Sequence, residues 1–417
     1  MEWLEPVAEI LHISPWPPDP GVLFWPVLML LSGGLLGEVV ARISHLPRVL
    51  GYSTAGVVIA LSGNGTADGQ LPELLRMVVD VALALLLFEI GSRVKLRWLR
   101  ANKALLWTSL SEAVLTLLTV YGALSWFGLE RPLAMACAVL AMPASAAVAG
   151  RVALELGAEG QVTERMILLT ALNTLYAALA LTLFRGWLSL EQMSDWLNAF
   201  ARLGYNFLGS LLVALLLARL VALIARRLDL RNDNSVLLLL GLVLLAITLA
   251  RTLGLSTLLV PLLAGLVLRN TSDRPWVWPR HFGTAGGVLV LMLFVIVGST
   301  WSIETLVAGA STAGVLVLAR AAAKLLAVNG WARVSGLSAR QGLALGVTLT
   351  PLSATALVML ADLYSVHPVF GRQLAPIVLS AIAMLELLGP LAVQWALQWS
   401  GEVAPNALGK RNKGVAP

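Results

Sequence analysis

The residues in this chain best able to do chemistry lie in two short stretches and a few isolated charges, all within long apolar segments. Met142-Pro143-Ala144-Ser145-Ala146 and Thr350-Pro351-Leu352-Ser353-Ala354 each set a serine two positions after a proline. Proline removes a backbone donor and frees a carbonyl, so a membrane helix must break or kink at Pro143 and at Pro351. Lipid cannot satisfy the freed groups, and such breaks are tolerated only against protein or a wet cavity. The half-helix ends present partial charges of both signs, which suits an ion and its counter-charge. The isolated charges are Glu386, Lys324, Arg320, Glu89 and Glu112, with Asp80 closer to a segment end. An ionised side chain at mid-bilayer costs at least ~2.5–3.5 kcal/mol, so these groups should pair with one another or serve in proton coupling and charge compensation. For Lys324 and Glu386 the structural alternative is a mutual salt bridge. For Glu89 and Glu112 it is a buried hydrogen bond or pairing with the basic loop after the third span.

The elements that position these residues follow from composition. Of 417 residues, 58% are hydrophobic and 12% charged, and the mean hydropathy is +0.84. Apolar runs of bilayer-crossing length, about 20 residues, recur from Leu23 almost to the C-terminus. The chain is therefore expected to be an all-α polytopic membrane protein. Thirteen spans are predicted, at 22–42, 48–63, 72–93, 104–127, 132–156, 164–187, 200–226, 235–253, 255–269, 283–301, 304–328, 340–362 and 374–399. Spans two and nine are short. Lys and Arg concentrate in alternate loops: Arg42 and Arg48; Arg93 to Lys103; Arg226 to Arg231; Arg269 to Arg280; Arg333 and Arg340; then Lys410, Arg411 and Lys413. By the positive-inside rule the N-terminus is outside and the C-terminus cytoplasmic, which an odd number of spans requires. The first residues carry Glu2, Glu5 and Glu9 without a basic stretch, so no cleavable signal peptide is expected.

This distribution accounts for the net charge of +6, and no nucleic-acid partner is implied. One cysteine, Cys137, excludes an internal disulfide and cysteine-ligated metal. His12, His45, His281 and His367 fall in loops or at span ends without metal-ligand spacing. No phosphate-cradling glycine loop or nucleophile turn appears. No metal, no cofactor and no enzymatic activity are expected.

Other matched pairs accompany the proline motif. Ala55-Gly56 matches Ala264-Gly265, and Leu85-Leu86-Leu87-Phe88 with Gly91-Ser92 matches Leu291-Met292-Leu293-Phe294 with Gly298-Ser299. The same order at nearly constant spacing implies two repeats, spans one to six and eight to thirteen. One linking span inverts the second half and gives a two-fold axis in the membrane plane, with the broken helices crossed. The organisation predicted is an external segment 1–21, a first repeat 22–188, a linker span within 189–233, a second repeat 234–400 and a cytoplasmic tail 401–417.

Leu46-Pro47-Arg48-Val49-Leu50-Gly51-Tyr52 with Ala55-Gly56 resembles the second-helix signature of the cation:proton antiporter superfamily, the sodium/proton exchangers and potassium-efflux-type transporters. Leu87-Phe88-Glu89-Ile90-Gly91 resembles the third-span motif, and Lys324-Leu325-Leu326 a Lys-Leu-Leu-Gly stretch late in the family's sequence. The resemblance implies a dimerisation layer, hence a homodimer, and a mobile ion-carrying core that rocks like an elevator. It also implies an integral, multi-pass protein of a bacterial inner (plasma) membrane. The family carries an aspartate in span six, after Asp, Asn or Gln. Here the matching stretch is Leu172-Asn173-Thr174-Leu175, so Thr174 replaces the acid. The Arg-Gly-Glu often found after the span-twelve proline is also absent, and Leu352-Ser353-Ala354 stands there. A threonine hydroxyl can coordinate a cation but does not titrate near neutral pH.

The function this implies is exchange of a monovalent cation, sodium or potassium, for protons across the bilayer. Asn173, Thr174, Ser145 and Ser353 would form the ion site, and a carboxylate such as Glu386, Glu89 or Glu112 would replace the missing aspartate. Two alternatives stay open. One is an uncoupled or anion-linked carrier using Lys324 or Arg320; the other is a non-transporting membrane scaffold that has lost the ion site.

Overall fold

The computed structural model describes residues 24–64, 72–190, 196–227, 233–271, 282–352 and 354–403. Among these there are sixteen α-helices. The first is α1 (Phe24–Ile43), followed by α2 (Arg48–Ile59), which runs into a π-turn over Ala60–Asn64. Next come α3 (Glu73–Arg93), the short α4 (Leu96–Ala101) and α5 (Lys103–Trp126). The pair α6 (Arg131–Leu140) and α7 (Ala146–Leu156) precedes α8 (Gln161–Leu190) and α9 (Trp196–Arg227). The chain continues through α10 (Asp233–Thr252), α11 (Leu259–Thr271), α12 (Phe282–Ser299) and α13 (Ile303–Ala332). It closes with the pair α14 (Ala339–Thr348) and α15 (Ala354–Val366) and the long α16 (Pro368–Ser400). Setting α4 aside and counting each broken pair as one span, these helices make the thirteen expected spans. Six of the described helices are long and apolar enough to cross a bilayer by themselves. The others are shorter or, like the 21-residue α3 with Arg76, Asp80 and Glu89, more highly charged, and the fold is that of a polytopic membrane protein.

The inverted repeat is written into the glycine contacts. A β-carbon at Gly56 on α2 would strike the Val295 carbonyl and the Ser299 amide on α12. At Gly265 on α11 it would strike the Phe88 carbonyl and the Ser92 amide on α3. Gly91 and Gly298 answer in kind, facing Leu262 and Leu266, and Ser53 and Val57, respectively. Each contact is the two-fold image of the other, and only the absence of side chains lets these backbones approach so closely. This register pairs Phe88 with Val295. The Leu-Leu-Leu-Phe match in the sequence is therefore one residue out of step, while the Gly-Ser match is in step. Gly56→Ala and Gly265→Ala should each destabilise the protein by ~1–3 kcal/mol, as overpacking against backbone does. Gly122→Ala on α5, where a β-carbon meets nothing within 4 Å, should be neutral or slightly stabilising. Thermal unfolding in detergent reads all three, and equal melting temperatures would contradict the close approach.

Candidate ion site at the crossed helices

The breaks form as the proline chemistry requires. Helix α6 ends at Leu140, the chain passes Pro143 in a non-helical turn, and Ser145 caps α7 by accepting the Val148 amide at 3.2 Å. A capping box of Ser338 and Gln341 starts α14, which ends at Thr348 just before Pro351. The two breaks touch: the Ser145 amide donates to the Pro351 carbonyl at 3.0 Å. Ser353, the fourth expected ion ligand, lies outside the described residues.

Arg320 of α13 fills the crossing. Its guanidinium donates to the carbonyls of Ala141 and, at 2.9–3.2 Å, of Pro143, Leu349, Thr350 and Pro351. Those are the carbonyls that both breaks leave without helical partners, so one cation answers two negative helix ends. Lys324, one turn further along α13, donates to the Met142 carbonyl at 3.2 Å and forms a salt bridge with Glu112 of α5. Arg320, Lys324 and Glu112 are all fully buried. The suggested Lys324–Glu386 bridge is thus not formed, because α5 packs directly on α13 and brings Glu112 to the lysine. Lys324→Met should cost ~3–5 kcal/mol by stranding a buried carboxylate, and adding Glu112→Gln should recover most of it. Melting temperatures of the double-mutant cycle measure this; strictly additive losses would show the two groups do not interact.

The other carboxylates separate by partner. Glu89 pairs with Arg93 at 2.6 Å near the end of α3, its side chain 25% exposed. It sits at the edge of the helix bundle rather than inside it. Asp80 is buried against Arg251. Glu386 of α16 is different. It is fully buried, accepts one hydrogen bond from the Ser53 hydroxyl of α2 at 3.1 Å, and leaves Oε2 without a partner. Among the buried carboxylates of the described residues, Glu386 alone lacks a basic partner. Gly389 lies one turn along the same face, where a β-carbon would come within 2.8 Å of the Pro351 ring. Glu386 is therefore one turn from the crossing. Nothing in the local sequence marked Ser53; its position just after the Leu46–Tyr52 motif was the available signal.

Asn173 and Thr174 are fully buried on α8, which packs against α6, α7, α14 and α15. The Thr174 hydroxyl donates to the Thr170 carbonyl at 2.9 Å, so its proton is committed and its lone pairs remain free to accept. Both amide atoms of Asn173 lack partners, as do the hydroxyls of Thr170 and of Thr355 on α15. Buried polar groups without partners are rare in folded proteins, and an unfilled ligand site is one reason for them.

The profile of the family described as "Sodium/hydrogen exchanger, transmembrane" matches residues 27–399. The chain belongs to this family. Two solved structures of the sodium proton antiporter MjNhaP1 from Methanocaldococcus jannaschii share its fold. One, at pH 8, superposes with a TM-score of 0.69 at 16% identity, covering 93% of this chain and 98% of that one. The other, from electron microscopy, gives 0.71 at 16% identity, with 95% and 98% covered. Among curated protein sequences none matches the chain significantly. In this family member the two broken helices meet at Ser145 and Pro351, and position 174, where the resemblance led to the expectation of an aspartate, holds a buried threonine.

Proposed function

We propose that this sodium/hydrogen exchanger family member exchanges a monovalent cation, sodium or potassium, for protons by alternating access, with Glu386 as the group that proton and cation occupy in turn. The observation that carries this assignment is the isolation of Glu386. An ionised carboxylate buried without a counter-charge costs several kcal/mol, so Glu386 is neutralised by a bound proton or a bound cation. Two ligands that neutralise one group exclude each other, and mutual exclusion is what couples exchange. Ser53 orients the carboxylate. The buried oxygens of Asn173, Thr174 and Ser145, with Ser353, supply neutral ligands for a partly dehydrated cation. Arg320 and Lys324 compensate the helix ends and are not carriers in this scheme.

The anion-linked alternative loses support because Arg320 is taken up by carbonyls and Lys324 by Glu112. The same proposal takes the chain as a homodimer in a bacterial inner membrane, N-terminus outside and C-terminus cytoplasmic, with repeats at 22–188 and 234–400. Purified protein in liposomes tests it, with internal pH followed as sodium, potassium or lithium is added outside. Cation-dependent proton movement is expected for sodium or potassium. No movement with any of the three would leave the uncoupled-carrier and scaffold readings.

A further inference from the structure

The end of α16 is tied to the start of α8 by one side chain. Gly401, at φ 83°, ends α16 in a left-handed turn: its amide bonds the Gln398 carbonyl and the Glu402 amide bonds the Leu397 carbonyl. That arrangement is a Schellman cap, and it aims the next residue away from its own helix. Glu402 lands on the N-terminus of α8. Its carboxylate accepts the Val162 amide at 2.6 Å, the Thr163 amide at 2.8 Å and the Thr163 hydroxyl at 2.7 Å. Its backbone carbonyl accepts the Glu159 amide at 3.1 Å. A carboxylate at this end of a helix satisfies orphan amides and opposes the macrodipole. Here the cap comes from 240 residues away. Gly160, at φ 157°, leaves room for it, because a β-carbon there would collide with the Glu402 side chain.

The two helices joined are those that carry the proposed ion groups, Glu386 on α16 and Asn173 with Thr174 on α8. We propose that Glu402 is a positioning residue for exchange: it fixes the height of α8 against α16, so the neutral ligands and the carboxylate move as one body. This inference rests on the ion-site reading above. Direct packing between α8 and α16 is sparse beside that of α16 on α13 and α15, so the Glu402 clip is a principal direct link between these two helices. A misplacement of about 1 Å at a reacting centre can cost on the order of 100-fold; for cation binding the expected change is a KM raised about tenfold.

The experiment uses the full chain in liposomes, with Glu402→Ala and Glu402→Gln to alter the clip and Gly160→Ala to displace it from the opposite side. Hydrogen–deuterium exchange of the Val162–Thr163 peptide and the cation KM and maximal rate of proton movement are measured together. Glu402→Ala and Gly160→Ala should both speed amide exchange at the start of α8 and raise KM about tenfold, with the maximal rate changing less than about threefold. Glu402→Gln, which keeps one accepting oxygen, should fall between them and the unaltered protein. Faster amide exchange with unchanged KM in both variants would make Glu402 a helix cap alone and overturn the proposal. Amide exchange that does not respond would overturn the clip itself. Absence of transport in the unaltered protein would instead count against the exchange reading, and the amide-exchange arm would still report on the clip.

Discussion

Glu386→Gln is expected to lower cation-dependent proton movement in liposomes at least about 100-fold, a change of ~2.7 kcal/mol, while the protein still inserts and folds. Glutamine has nearly the same shape and keeps an oxygen to accept the Ser53 hydroxyl, so the contact between α16 and α2 survives. What it lacks is a proton to release and a negative charge to offer a cation. Removal of a buried group that must otherwise be neutralised should leave thermal stability unchanged or raised. The opposite pattern, with transport intact and stability lost, would make Glu386 a structural hydrogen-bonding residue. Glu112→Gln is the informative companion. It strands Lys324 and should lose stability, so a transport defect in that variant has to be compared at equal amounts of folded protein.

Arg320→Ala should have the largest structural effect. Five carbonyls of the two breaks accept from this guanidinium, and a buried acceptor left unmade costs ~1–3 kcal/mol. Even with partial relief from other donors, a loss of at least about 4 kcal/mol is expected, a large part of the ~5–15 kcal/mol of a typical fold. Little monodisperse protein should survive extraction into detergent, as size-exclusion chromatography would show. Arg320→Lys keeps the charge but not the planar fork of donors, and should yield folded protein of reduced melting temperature. Wild-type behaviour of Arg320→Ala would mean that water or the helix ends themselves satisfy those carbonyls, and the crossing would then be wet rather than plugged.

What the sequence determined by itself was most of what runs along the membrane normal, although Glu89, expected among the mid-bilayer charges, lies at the partly exposed end of α3 with Arg93. A helix rises 1.5 Å per residue, so hydropathy sets where each span begins and ends, proline chemistry sets where spans five and twelve break, and glycine and proline recurring at one spacing set the repeat. The depth of Glu386, Lys324, Arg320 and Glu112 could be read in the same way. What only the tertiary structure decided was who faces whom at a given depth. Lys324 had two carboxylates available by height, and lateral packing of α5 on α13 gave it Glu112 and left Glu386 to Ser53. The same lateral packing placed Arg320 among the carbonyls of both breaks and carried Glu402 across to α8. Neighbour choice depends on the azimuth and crossing of whole helices, set by many small contacts such as those of Gly56 with α12 and Gly265 with α3, and no local pattern in an apolar sequence encodes it.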